Sequence, residues 1–98
     1  MQRMLITVVT EAVLESTLTQ ELDALGASGY TITDARGRGS RGNRRSGWRE
    51  SSNIRIEVIC SPDLAERIVS ALREKFHDNF AMVLWWQSVE VLRPDKFV

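Results

Sequence analysis

Apolar positions fall into six stretches along this chain, and the spacing within each stretch predicts an element. Met4-Leu5-Ile6-Thr7-Val8-Val9 is a nearly continuous apolar run rich in β-branched residues, which predicts a strand buried on both faces. Thr10 is expected to cap the helix that follows, with Glu11 in its first turn facing the positive end of the helix dipole. Leu14, Leu18, Leu22 and Leu25 recur at four- and three-residue spacing, an amphipathic helix ended by Gly26 or Gly29, with the leucines packed on a sheet. Residues 30–35 alternate and predict a second strand. Residues 53–60 alternate too, with Ile54, Ile56, Val58 and Cys60 on one side and Arg55, Glu57 and Ile59 on the other. Ser61-Pro62-Asp63 combines a hydroxyl cap, a proline at the first helical position and an acid in the first turn. The helix it starts carries Leu64, Ile68, Leu72 and Phe76, widened by Ala65 and Val69, and closes at His77-Asp78-Asn79. A last strand is expected over about residues 81–92, stopped by Pro94.

Strand, helix, strand, strand, helix, strand is the order of an α+β, ferredoxin-like βαββαβ sandwich. Its antiparallel sheet carries two helices on one face and a long loop joins strands 2 and 3. The second face of such a sheet is normally wet. Here the first strand is apolar on both sides, and Met82, Leu84 and Trp86 alternate with Val83 and Trp85. An uncovered face of this kind is an interaction patch, so it is expected to lie against sister subunits.

The loop changes the picture from fold to chemistry. Residues 35–49 hold six of the thirteen basic residues and four of the six glycines, with no acid. Such a segment buries too little apolar surface to offset its ordering entropy, so a mobile segment over about 38–52 is expected, ordering on its ligand. Glycine amides and arginine forks suit phosphate or carboxylate oxygens. Gly37-Arg38-Gly39-Ser40-Arg41-Gly42 matches the spacing of a dinucleotide fingerprint, but no helix follows to receive a pyrophosphate, so the match fails on context.

Composition mostly excludes. Ninety-eight residues suggest one domain over 1–98, small enough for oligomerisation to complete its core. Thirteen bases balance thirteen acids, so the basic charge is local to the loop. Cys60 and His77, each the single residue of its type, form no metal-ligand cluster and no disulfide, and they fit a reducing, cytoplasmic setting. No apolar run is long enough to span a bilayer. Ser40, Ser46, Ser51 and Ser52 have no base beside them in sequence, Asp34 and Glu57 sit on different strands, and His77 reads as a cation at a helix end. A binding protein is expected, not an enzyme.

Gly29-Tyr30-Thr31-Ile32-Thr33 followed by Arg36-Gly37-Arg38-Gly39 resembles the strand leading into the T-loop of the PII family of signalling proteins. Ile54-Arg55-Ile56-Glu57-Val58-Ile59 before Ser61-Pro62-Asp63 resembles the strand after it. Gly39-Ser40-Arg41 with Arg44 and Ser46 resembles the carboxysome-associated, bicarbonate-transporter-associated branch, and Phe80-Ala81 with Ser88 and Glu90-Val91-Leu92 extend the likeness over about residues 4–92. The resemblance implies a homotrimer with an adenine nucleotide in each cleft between subunits, bicarbonate as a second ligand, and a role in inorganic-carbon metabolism. It implies a protein target met through the T-loop, a bicarbonate transporter or a carboxysome-linked protein. By position Thr31, Gly37, Glu57 and Ile59 would line the cleft, with Phe80 and Ala81 near base or ribose. Arg38, Gly39, Ser40, Arg41 and Arg44 belong to the same nucleotide-binding set, and Ser40, Arg41 and Arg44 would take the phosphate.

Departures from the family narrow the ligand. The loop lacks the tyrosine that nitrogen-sensing members uridylylate, since the one tyrosine is Tyr30. Arg41 stands about where those members carry the glutamine for magnesium and 2-oxoglutarate. His77-Asp78-Asn79-Phe80-Ala81 replaces the lysine- and glycine-rich loop that grips a triphosphate. ADP or AMP is therefore favoured, with ATP or cyclic AMP as further options. The alternative is a ferredoxin-like nucleic-acid binder using its Arg-Gly loop and Trp48, against which stand the zero net charge and the lack of matched aromatics on the sheet, so no nucleic acid is expected. A metal-tolerance trimer of similar fold would need ligands this chain lacks, and a structural trimer with a merely solvated loop is the plainest option.

Overall fold

The computed structural model describes residues 2–37, 52–78 and 81–98. Among these residues four strands and two helices follow in the expected order: β1 (Gln2–Glu11), α1 (Glu15–Leu25), β2 (Thr31–Ala35), β3 (Asn53–Cys60), α2 (Pro62–Leu72) and β4 (Val83–Glu90). The sheet runs β2-β3-β1-β4, every neighbouring pair antiparallel. This is the ferredoxin-like α+β arrangement.

Strand β1 is longer than its apolar run because it is sandwiched. It pairs with β3 from Met4↔Cys60 to Glu11↔Asn53, and with β4 from Gln2↔Glu90 to Val9↔Val83. That pairing overrides the expected helix start. Thr10 is strand, partnered with Ile54, and it caps nothing; ladder pairing satisfies its backbone, which leaves no reason for the chain to turn there. Its hydroxyl is sealed at 0% exposure and finds no hydrogen-bond partner among the described residues. Glu11 closes the strand instead of entering a helix. A 3-10 turn, Ala12–Leu14, makes the corner, and α1 begins after it without a side-chain cap. Gly26 ends α1 at φ 98°, a left-handed position that a Cβ would strain, and its N–H closes on Asp23 and Leu22 carbonyls.

The start of α2 follows its sequence closely. Ser61 is extended, its Oγ accepts from the Leu64 N–H at 3.2 Å, and Pro62 occupies the first turn. Regular α-helix ends at Leu72, however. Arg73–His77 form a π-turn, a wider coil that keeps Phe76 buried while Lys75 reaches Glu21 of α1 at 2.8 Å. The last strand is shorter than expected at both ends. Ala81 and Met82 are buried ahead of it, and Pro94–Lys96 form a 3-10 turn after it.

Alternation assigns the two faces. Ile6 and Val8 join Ile54, Ile56, Val58 and Cys60 beneath both helices, where Leu18, Leu22, Ile68 and Leu72 cover them. At about 25 cal/mol per Å2 of apolar surface this layer is the main source of stability. The opposite face, which no helix of the described residues covers, is led by Leu5, Thr7 and Val9 of β1. On β4 it presents Val83, 48% exposed, and Trp85, 39% exposed.

Candidate functional site

The open face carries an ordered cross-strand row: Thr31↔Glu57, Glu57↔Thr7 and Thr7↔Trp85. Strand pleating puts Thr31 and Glu57 on the side away from Ile32 and Ile56, as the alternation predicts. Ile59 follows Glu57 on the same side and pairs with Leu5. Thr31, Glu57 and Ile59 thus come together, and they line an open groove of about 430 Å3.

The other walls of the groove lie outside the predicted set: Leu5, Ser28, Gly29, Tyr30, Lys96 and Phe97. Leu5 was legible from register with Ile59. The tail was not, because two interactions between distant residues hold it. Arg3 Nε donates to the Phe97 carbonyl at 2.9 Å, and Ser28 Oγ donates to the Lys96 carbonyl at 3.0 Å. These bonds fold residues 93–98 back beside the turn after α1.

Charge on this face is arranged by Arg55. Its guanidinium lies 3.2 Å from a Glu57 carboxylate oxygen, in the region between the groove and Trp85. The pair is half exposed, so its net contribution to stability is at most about 1 kcal/mol, but it orients the carboxylate. A carboxylate, a threonine hydroxyl and an apolar floor of Leu5 and Ile59 suit a planar heterocycle with hydrogen-bonding edges.

Two predicted residues sit elsewhere. Ala35, Asn53 and Glu11 form a row at the end of the sheet, four residues along β1 from the Thr7 row, or about 13 Å. Gly37 lies two residues past Ala35, at the root of the Arg-Gly loop. Ala81 stands beside Glu11: its N–H donates to Glu11 Oε2 at 3.1 Å, and its side chain is buried. The predicted residues of the described chain therefore divide into a groove group and a sheet-end group. Arg38, Gly39, Ser40, Arg41, Arg44 and Phe80 lie outside the described residues.

Among the described residues no group of three or more His, Cys, Asp or Glu side chains is placed to hold a metal ion. Among them, too, no helix is long and apolar enough to cross a membrane. Cys60 is deep under the helices, and burial pushes its thiol up from 9.0 to about 11, which suits a packing role and not a nucleophile. His77 sits at the end of the π-turn with Nδ1 3.6 Å from the Asp78 carboxylate, and it is not among the residues lining the groove.

Comparison with known proteins agrees with the fold. The family model described as nitrogen regulatory protein P-II matches residues 3–96. A crystal structure of a candidate PII-like signaling protein from Thermus thermophilus is 44% identical, with TM-score 0.83, covering 99% of this chain and 96% of that one. CPII from Thiomonas intermedia, in a structure bound to ADP and bicarbonate, has TM-score 0.87 at 23% identity, covering 100% of this chain and 96% of that one. A second CPII structure, bound to ADP, AMP and bicarbonate, has TM-score 0.85 at 23% identity, covering 99% and 94%. At that identity the CPII likeness establishes shared fold.

Proposed function

We propose, given that the chain belongs to the nitrogen regulatory protein P-II family, that it is a non-enzymatic regulatory protein that binds adenine nucleotides between its subunits. The observation that carries this is the groove on the open face, where Thr31, Glu57 and Ile59 meet above Leu5. It is a half-site. Open on one side, it cannot bury most of a nucleotide alone, and a neighbouring subunit would supply the second wall. The exposed Val83 and Trp85 on the same face favour a homotrimer whose sheets face inward.

In this assembly the whole chain acts as one domain, with residues of about 38–52 as its T-loop. The base lies over the groove, the phosphates extend toward the sheet end, and Ser40, Arg41 and Arg44 meet them from the loop. ADP and AMP are the preferred ligands, and bicarbonate is the second effector, in line with the ligands of the CPII structures. The branch linked to inorganic carbon, with a transporter or carboxysome-linked target addressed by the loop, is the finer part of the proposal.

Calorimetric titration of ADP, AMP, ATP and cyclic AMP, each with bicarbonate or with chloride at equal ionic strength, tests it. Micromolar or tighter binding of ADP or AMP is expected, strengthened by bicarbonate because two ligands that favour the same state of one cleft assist each other reciprocally. No binding of any adenine nucleotide refutes the proposal. Binding indifferent to bicarbonate removes the carbon-sensing part alone. Light scattering should give three times the chain mass; a stable monomer removes the inter-subunit cleft.

A further inference from the structure

Glu11 adjoins a helical turn that it does not serve. It occupies the position before the 3-10 turn Ala12–Leu14, yet its side chain caps none of the amides there. Its Oε2 instead accepts from the Ala81 N–H at 3.1 Å, 70 positions away in the chain. Glu11 and Ala81 each lie two residues beyond the last β1–β4 pair, Val9↔Val83, so the bond extends the sheet by a side chain where the ladder has stopped. On its other flank Glu11 is paired with Asn53, which is paired with Ala35. Those two residues bracket the Arg-Gly loop.

A carboxylate thus stands fixed at the root of the loop that holds six of the thirteen basic residues. It has two consequences for an incoming anion. The Ala81 amide, a donor an anion would otherwise take, is already occupied by an anion belonging to the chain. The part-buried carboxylate also leaves a fixed, weakly screened negative charge at the end of the sheet toward which the phosphates extend in the cleft proposed above.

We propose that Glu11 is a specificity-determining residue of the nucleotide cleft, whose carboxylate limits the phosphate charge the cleft accepts and so favours mono- and diphosphates over a triphosphate. It acts within the nucleotide cleft proposed above and depends on that cleft existing. Glu11 touches the Ala81 backbone, so it acts both as a tether of the segment entering β4 and as a local charge. The two roles separate experimentally, because only the second distinguishes ligands by their charge.

Adenosine, AMP, ADP and ATP are titrated into the wild type, Glu11→Gln and Glu11→Ala. Glutamine keeps an oxygen acceptor for the Ala81 amide and removes the charge. Glu11→Gln is expected to tighten ATP about 5- to 10-fold and ADP about 2- to 5-fold while leaving adenosine unchanged, with the gains shrinking in high salt. Glu11→Ala should show the same ranking. An adenosine affinity that moves as far as that of ATP marks Glu11 as a tether only and overturns the proposal. So does an unchanged ATP-to-ADP ratio in both variants. The wild type gives a check that needs no variant: a preference for ATP over ADP beyond about tenfold also overturns it. If the wild type binds no adenine nucleotide, the functional proposal itself has failed, an outcome visible before any variant is compared.

Discussion

The Arg55 guanidinium carbon lies 6.0 Å from the centroid of the Trp85 ring, so a side chain of β3 reaches one of β4 across the strand between them. Thr7 of β1, the cross-strand partner of Trp85, has 0% exposure on a face that carries no helix. A cation over an indole on an exposed sheet contributes about 0.5–1 kcal/mol. A double-mutant cycle on Arg55→Ala and Trp85→Ala, read by urea unfolding, should give a coupling energy of that size. A coupling near zero would mean that the two groups are merely adjacent.

Thr10 supplies a stability gain. Its hydroxyl is fully buried without a partner among the described residues, which costs about 1–3 kcal/mol relative to an apolar group of the same shape. Thr10→Val should raise the denaturation midpoint without changing the slope. A lower midpoint would show that the hydroxyl is bonded in solution. By contrast Ser61→Ala removes the bond to the Leu64 N–H and should cost about 1 kcal/mol.

Cys60 makes stability depend on alkaline pH. Burial raises its thiol from 9.0 to about 11, so the unfolded chain loses this proton at lower pH than the folded one. The contribution is fully present below about pH 9 and is lost as pH rises from there through about 11. Wild type should therefore lose more stability than Cys60→Ala between about pH 8 and about pH 10.5, and its thiol should resist alkylation until the chain unfolds. Equal pH slopes in the two proteins would count against a buried, neutral thiol.

The loop arginines give the largest expected effect on ligand. A charge-assisted contact contributes roughly 1.5–3 kcal/mol, so Arg41→Ala or Arg44→Ala should weaken ADP about 10- to 150-fold. Arg36→Ala, close to the end of β2, should do much less. Equal losses from all three would point to diffuse attraction by the loop and away from a phosphate clamp.

Patterns of period two and three to four made the elements legible, and with them the faces. Thr31, Glu57 and Ile59 share a groove because alternation on β2 and β3 leaves them no other side. Errors arose where a distant partner overrode a local signal. Thr10 looks like a cap in sequence, but Ile54 claims it for the ladder. The π-turn at Arg73–His77 has the same apolar spacing as an α-helix, since Phe76 follows Leu72 by four in either coil. Lys96 and Phe97 reach the groove through bonds to Ser28 and Arg3, 68 and 94 positions away, which no periodicity encodes.

The strand order has a consequence for how the protein is made. Strand β1 leaves the ribosome before either of its partners, yet it becomes an inner strand between Asn53–Cys60 and Val83–Glu90. Until the last of these has been synthesised, one edge of a strongly apolar segment has nothing native to pair with. Pairings so far apart in sequence close slowly and leave an unpaired edge open to other chains. Newly made chains should therefore need a chaperone's shelter more than mature ones do.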